Sequence, residues 1–432
     1  MANDIGASFV RMCNSLQDPR LVARFQRLCG VKGTFPEKAP TEQSAPELDH
    51  RGPRRRVPGS GVGNGAAEGD APNGMQGERT AGPEGAEEAS EDTARAKPLR
   101  RNSLTGDVGQ EFLIHNKFLF YLFTFGTELG NEMFFIVFFP FVLWNVDPLV
   151  SRRLIVVWAW NLFVGQSTKD MVRWSRPASP PVVKVEVFYN SEYSMPSTHA
   201  MTGTAIPFCL FMLTYGRWEY PFLFGLSVAL SWSVLVCVSR VYMGMHSVLE
   251  VITGFLYTLL ILAVLQPFLE RIDTFYMMGN YAPLVILVSH VGFGLVAFSL
   301  DSWSTSRGDT AQGLGTAAGV ALATYVNYQL GLVEDYPLSS LPLTLPPLSA
   351  ALVVRSMLRF LVGVAVLLVT RMGMKAVTIP FLCQVYKLPL DDVRGARQLM
   401  RVELPYRYIV YSVVGFSCVT VVPLLFSLLY LA

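Results

Sequence analysis

The chain has 432 residues, of which 51% are hydrophobic and only 16% are charged, and its mean hydropathy is +0.36. Soluble proteins carry roughly 25% charged residues, so the composition argues against an ordinary soluble enzyme. The 35 basic and 33 acidic residues leave a net charge of +2, and no stripe of lysine and arginine could neutralise a nucleic-acid backbone. Most of the chain is therefore predicted to lie in a membrane, with no nucleic-acid partner.

The first hundred residues differ from the rest of the chain, because they hold about 28 of its charged residues. Residues 34–107 are rich in Gly, Pro, Glu, Ala and Arg, and such a segment buries too little apolar surface to offset its ordering entropy. Residues 1–110 are predicted to be mostly disordered, with a short amphipathic helix within residues 1–33. Ser103 follows Arg100 and Arg101, which makes it a candidate phosphorylation site; an unmodified serine in a basic juxtamembrane stretch is the alternative.

Nine apolar runs follow, and they assign residues 111–432 to a membrane domain. The runs cover residues 118–144, 154–166, 200–215, 221–238, 248–269, 281–300, 311–332, 358–374 and 408–432. A helix needs about 20 residues to cross a bilayer, so we predict an all-α polytopic helix bundle of roughly eight to ten spans. Glu128 and Glu132 interrupt the first run, and their spacing predicts one shared helical face that points into the bundle or lies near an interface.

Two polar clusters beside the apolar runs are suited to a phosphate ester. The first contains Lys169 and Arg176; a guanidinium matches phosphate oxygens in a planar fork, although both cations are also typical interfacial anchors. The second is Ser194-Met-Pro-Ser-Thr-His199. The amides of Ser197 and Thr198 at a helix N-terminus form an anion site, and His199 can hand a proton to a leaving oxygen. A capped helix with an interfacial histidine is the alternative.

A third cluster contains Arg240, His246 and Glu250. His246 and Glu250 are four residues apart and share a face if the stretch is helical. A carboxylate there can accept the Nδ1–H of the imidazole and leave Nε2 as a nucleophile. Arg240 would be a further cationic ligand for phosphoryl oxygens, whereas a polar pair inside a helix bundle is the structural alternative.

The order of the apolar runs brings the clusters to one membrane face. No run lies between Pro177 and Pro196, and two runs lie between His199 and Ser239. The chain therefore returns to the same face at each cluster, where the cations and histidines can converge.

The three clusters, in this order between residues 169 and 250, resemble the motifs of the type 2 phosphatidic acid phosphatase superfamily. They match Lys-x6-Arg-Pro, Pro-Ser-x-His and Ser-Arg-x5-His-x3-acid. The stretches Ser-Met-Pro-Ser-Thr-His-Ala and Tyr-Met-Gly-Met-His-Ser, with the long polar N-terminal region, are more similar still to sphingosine-1-phosphate phosphatases. The resemblance implies a phosphatase-like core within the bundle.

The resemblance also implies a role for each motif residue. The phosphate would be held by Lys169, Arg176, Arg240, Ser197 and the amide of Thr198. His246 would attack phosphorus to form a phosphohistidine, His199 would protonate the departing alcohol, and Glu250 would orient His246. No metal or cofactor is expected, since the sequence shows no carboxylate-rich or Cys/His cluster typical of a metal site.

Two residues depart from the superfamily pattern. Thr198 stands where Gly is usual, which narrows the pocket or marks the sphingolipid branch. Glu250 stands where Asp is usual, and its extra methylene is expected to move the carboxylate outward from His246.

The resemblance implies a metal-independent hydrolase that removes phosphate from sphingosine 1-phosphate and its dihydro form. A broad-specificity lipid phosphate phosphatase, a non-catalytic lipid-phosphate transporter and a catalytically silent relative are the alternatives. A membrane lipid is the expected substrate, and the resemblance implies residence in the endoplasmic reticulum membrane. The competing positive charges of Arg152, Arg153 and the N-terminal arginines do not fix the side on which the N-terminus lies.

Overall fold

The computed structural model describes residues 2–33, 112–186, 192–300, 306–333, 335–388, 395 and 399–431. Ser103 and residues 34–110 lie outside the described residues, so the predictions of disorder and of phosphorylation there remain predictions. Within residues 2–33 the chain is mostly helical.

The N-terminal region contributes two helices and one strand. Helix α1 (Ala2–Gln17) is followed by Asp18, whose side chain accepts a hydrogen bond from the Arg20 amide at 2.8 Å and begins helix α2 (Pro19–Leu28). Strand β1 (Val31–Gly33) pairs antiparallel with β2 (Phe112–Ile114). Helix α2 buries its inner face, including Gln26, against the membrane domain.

Helices build the rest of the described chain. In order they are α3 (Lys117–Glu128), α4 (Glu132–Asn145), α5 (Pro148–Val172), α6 (Thr198–Thr214), α7 (Phe222–Tyr242), α8 (Val248–Leu265), α9 (Leu269–Met278), α10 (Ala282–Leu300), α11 (Ser306–Gln329), α12 (Ala350–Val385), α13 (Met400–Val419) and α14 (Val421–Leu428). Short 3-10 turns lie at Gln266–Phe268 and Leu338–Ser340.

Several of these helices are long and apolar enough to cross a membrane. Within the described residues there are five such segments, or six if the bent pair α3 and α4 is one span. Helix α5 packs between α6 and α11 and carries buried polar side chains such as Arg152 and Asn161. The all-helical membrane bundle is confirmed, and the figure of eight to ten spans stays a prediction.

The chain bends by 64° between α3 and α4. Helix α3 ends at Glu128, and the Asn131 side chain accepts a hydrogen bond from the Met133 amide at 3.3 Å to begin α4 at Glu132. The expectation that Glu128 and Glu132 share one helical face is therefore wrong, because they belong to different helices. Glu128 is exposed, whereas Glu132 lines an internal cavity.

The motif-bearing helix ends meet at one end of the bundle. Helices α5 and α7 end there, and α6 and α8 begin there. The amide of Ser197, just before α6, donates to the carbonyl of Glu250 in α8 at 3.4 Å. The other end of α5 is held by buried ion pairs, with Arg152 Nε 2.7 Å from Asp273 Oδ1 and Arg217 Nε 2.6 Å from Asp147 Oδ2.

Helices α11 and α13 are in backbone contact through glycines. A Cβ atom at Gly315 would lie 2.5 Å from the Tyr408 carbonyl oxygen, and one at Gly319 would overlap the carbonyl oxygen of Ser412. Such small residues allow close helix approach in membranes.

This contact predicts that Gly319→Ala destabilises the protein by about 1–3 kcal/mol through overpacking. Alanine favours a helix by up to about 1 kcal/mol over glycine, so Gly292→Ala, at an open helical position, is the matched control. Thermal unfolding of the purified protein in detergent should show a lower midpoint for Gly319→Ala alone. Equal midpoints for the two variants would contradict the close contact.

Candidate active site

The end of α5 supplies the first cation. Lys169 lies in the last turn and is 1% exposed. Arg173 adopts a left-handed conformation (φ 54°) that ends the helix and turns the chain. The following loop carries Arg176, whose guanidinium donates to the carbonyls of Glu192 and Met245, each at 3.1 Å. These bonds fix the guanidinium plane at the bundle end.

The start of α6 brings the second motif to Lys169. Ser197 is the N-cap, and its side chain accepts a hydrogen bond from the Ala200 amide at 3.4 Å. Lys169 Nζ donates to the Thr198 hydroxyl at 3.0 Å. The hydroxyl that distinguishes Thr198 from the usual glycine therefore holds a cation of the site, and the Thr198 amide, at the first helical position, has no intrahelical acceptor.

Arg240 lies in the last turn of α7 and is 1% exposed. Its Nε is buried and finds no hydrogen-bond acceptor among the described residues. Gly244 follows at φ +72°, where a Cβ atom would overlap the carbonyl oxygen of Val183. Gln26 from α2 donates to the carbonyls of Val183 and Tyr242 at 2.6 and 2.9 Å, so the N-terminal region tethers both site loops.

His246 is 1% exposed and is oriented by Glu250. Its Nδ1 lies 3.0 Å from Glu250 Oε2, and its Nε2 lies 3.4 Å from a guanidinium nitrogen of Arg176. Burial lowers the pKa of His246 well below its ordinary value, and the charges of Arg176, Arg240 and Lys169 lower it further. In the neutral tautomer that donates Nδ1–H to Glu250, the Nε2 lone pair would face the Arg176 guanidinium.

The Glu250 carboxylate has three protein donors. Besides the His246 ring, Glu250 Oε2 accepts a short hydrogen bond from the Ser194 hydroxyl and one from the Ser247 amide at 3.1 Å. The Ser247 side chain in turn accepts from the Glu250 amide, which completes a capping box at the start of α8. The expected outward displacement of this carboxylate is wrong, since the longer side chain curls back to the N-cap and reaches His246.

Two carboxylates occupy the cationic site in this structure. Glu192 Oε2 lies 3.3 Å from Lys169 Nζ and 3.6 Å from an Arg176 nitrogen, and Glu186 Oε2 lies 2.8 Å from an Arg240 nitrogen. Sequence analysis did not identify these acids, because a glutamate in a loop between motifs carries no distinguishing pattern. Ser194 and Gln26 were likewise without an assigned role.

The structure brings the predicted residues together. Hydrogen bonds and ion pairs join Lys169 to Thr198, both Lys169 and Arg176 to Glu192, Arg176 to His246, His246 to Glu250, and Glu250 to Ser197. Arg240 pairs with Glu186 and lies close enough for its charge to lower the pKa of His246. His199 lies in the first turn of α6 and lines a cavity with Thr198 and Glu192. Within the described ranges, no group of three His, Cys, Asp or Glu residues is arranged to hold a metal ion.

Comparison with known proteins agrees with the predicted resemblance. Residues 150–272 match the PAP2 superfamily. Sphingosine-1-phosphate phosphatase 1 of Rattus norvegicus is 50% identical over 432 residues, covering 98% of each chain. The chain belongs to the sphingosine-1-phosphate phosphatase family.

The chain is also similar to a second member of this family and, over a shorter stretch, to a lipid phosphate phosphatase. Sphingosine-1-phosphate phosphatase 2 of Homo sapiens is 37% identical and covers 96% of this chain and 98% of its own length. Lipid phosphate phosphatase delta of Arabidopsis thaliana is 27% identical over 151 residues, or 33% of this chain and 36% of its own. No solved structure matches the chain.

The contacts of Glu192 predict how the family's cationic site responds to an anion. A tetrahedral oxyanion must displace the Glu192 carboxylate, so Glu192→Gln should tighten orthovanadate binding by about three- to tenfold by removing a competing charge. Thermal stabilisation as a function of orthovanadate concentration measures this affinity.

Glu219→Gln is the matched control, because Glu219 is exposed and lies beyond the C-terminal end of α6, away from the motifs. Unchanged or weaker orthovanadate binding by Glu192→Gln would contradict the competition.

Proposed function

We propose that this protein hydrolyses sphingosine 1-phosphate and dihydrosphingosine 1-phosphate to the free base and inorganic phosphate. The observation that carries the proposal is a buried His246 whose Nδ1 lies beside Glu250 and whose Nε2 lies beside Arg176. Burial and the neighbouring cations lower the pKa of this ring, which favours its neutral, nucleophilic form. That is the arrangement a nitrogen nucleophile needs. The names of the family relatives support the substrate class.

Substrate binding begins with exchange of carboxylates for phosphate. Lys169, Arg176 and Arg240 now contact Glu192 and Glu186, and the phosphate would replace those carboxylates. The buried Nε of Arg240 and the Thr198 amide would then donate to phosphoryl oxygens. Charge-assisted bonds of this kind are roughly twice as strong as neutral ones.

In the first chemical step, Nε2 of His246 attacks phosphorus and the phosphorus–oxygen ester bond breaks. The ester oxygen takes a proton from His199 in its protonated form and leaves as the sphingoid alcohol. Glu250 stabilises the positive charge that develops on the His246 ring, in the way that a carboxylate supports a catalytic imidazole. The product of this step is a phosphohistidine.

In the second step, a water molecule attacks phosphorus and the phosphorus–nitrogen bond breaks. His199, now neutral, accepts a proton from that water. Inorganic phosphate leaves, and both histidines return to their initial states.

The residues that perform both steps lie where membrane helices begin or end, as a substrate with an apolar tail and an ionic head requires. We place the protein in the endoplasmic reticulum membrane on the resemblance stated above.

A broad-specificity lipid phosphate phosphatase is the second candidate. The 27% identity over 151 residues to lipid phosphate phosphatase delta of Arabidopsis thaliana supports it. Competition between phospholipid substrates distinguishes the two functions.

The proposed function predicts phosphate release from sphingosine 1-phosphate by membranes that contain the protein. Replacement of the nucleophile in His246→Ala should lower the rate by about a thousandfold or more. His115→Ala is the matched control, because His115 is exposed and outside the motifs. Release should persist in excess chelator, since neither step uses a metal ion, and should resist competition by phosphatidate.

Efficient competition by phosphatidate would favour the broad-specificity enzyme. Release that survives in His246→Ala would contradict the nucleophile, and no release from folded wild-type protein would favour a lipid-phosphate transporter or a catalytically silent relative.

A further inference from the structure

An internal cavity of about 90 Å³ lies beside His199, on the side that faces α4 and α11. Its lining includes Glu132 from α4, Asp309 from α11 and Gln166 from α5. None of these three residues belongs to the family motifs, and the proposed mechanism uses none of them. We refer to this space as the Glu132 cavity.

The Glu132 cavity is lined by three acidic side chains, those of Glu132, Asp309 and Glu192. Glu132 accepts a hydrogen bond from the side-chain nitrogen of Gln312 at 3.1 Å. Among the described residues, no lysine or arginine lies within ion-pair distance of Glu132. Asp309 shares Arg407 with Glu403, at 3.3 and 2.8 Å. An acidic side chain inside a membrane domain is costly unless it serves a cation or a polar ligand.

A second observation in the same cavity points to a hydrogen-bond donor. Gln166 is 3% exposed, and its Oε1 is buried without a hydrogen-bond partner among the described residues. An unpaired buried carbonyl costs about 1–3 kcal/mol. A ligand with N–H donors would satisfy this oxygen and the Glu132 carboxylate together.

We propose that the Glu132 cavity binds the ammonium group of the sphingoid base. This inference rests on the proposed function. In a sphingoid-base phosphate, the carbon that bears the ammonium is bonded directly to the carbon that bears the ester oxygen. Because His199 protonates that oxygen, the ammonium must lie next to His199, where the cavity supplies Glu132, Asp309 and the Gln166 carbonyl.

The size and charge of the cavity would select among lipid phosphates. A cavity of about 90 Å³ has room for an ammonium group. A lipid phosphate with a glycerol backbone has no cation at this position and would leave the Gln166 carbonyl unpaired. Unpaired buried polar groups are an effective means of rejecting the wrong ligand.

The test compares sphingosine 1-phosphate with a desamino analogue of equal chain length, in which hydroxyl replaces the amine. Both are presented in the same mixed micelles, and kcat/KM is measured by phosphate release. Wild-type protein should prefer the amine by about ten- to a hundredfold, the strength of a charge-assisted hydrogen bond. Glu132→Gln should lose most of that preference while its kcat/KM for the analogue changes by less than about threefold.

Two further variants complete the experiment. Gln166→Leu removes the unpaired carbonyl and should lower kcat/KM for the amine substrate alone. Glu128→Gln is the matched control, because Glu128 is exposed one helix away from the cavity, and it should behave as wild type. Activity toward the analogue shows that each variant is folded. If Glu132→Gln yields no folded protein, the effect of Gln166→Leu on the preference for the amine tests the ammonium site.

Equal losses on both substrates would overturn the ammonium site, because they would show a structural or His199-positioning role. Absence of any amine preference in wild type would also overturn it. Absence of release from both substrates by folded wild type would instead defeat the proposed function.

Discussion

The hydrogen bond between Glu250 and His246 is the interaction on which the site depends. One carboxylate orients the imidazole, accepts from the Ser194 hydroxyl and the Ser247 amide, and completes the N-terminal cap of α8. The start of the helix and the orientation of the proposed nucleophile therefore depend on the same side chain. A well-capped helix end is a rigid support, and a catalytic group held on such an element keeps its geometry.

The second constraint is the cost of burying cations. Lys169 and Arg240 are almost inaccessible to solvent, and they are paired with Glu192 and Glu186 in this structure. A buried charge without a partner is strongly destabilising. The two acids therefore neutralise the cationic site when no anion is bound. In the proposed function, a phosphate must bind these cations more favourably than the two carboxylates do.

Sequence patterns predicted the bundle and the convergence of the motifs, because apolar runs count membrane crossings and polar clusters keep their order along the chain. They could not predict contacts that depend on the conformation of one side chain or on the exact residue at which a helix begins. Glu250 reaches His246 because it curls into a capping box, and Glu132 turns away from Glu128 because Asn131 begins a new helix. Gln26 and Gln166 are each a single residue that meets its neighbours only in the folded structure, and no periodic pattern in the sequence marks such a residue.

The most direct test of the central claim is to trap the enzyme during turnover and locate the phosphate by mass spectrometry. The protein is mixed with sphingosine 1-phosphate and quenched in alkali, in which phosphohistidine survives. A phosphate on His246, absent from His246→Ala, is the predicted result. A phosphate on another residue, or steady turnover without a phosphorylated protein, would contradict attack by His246.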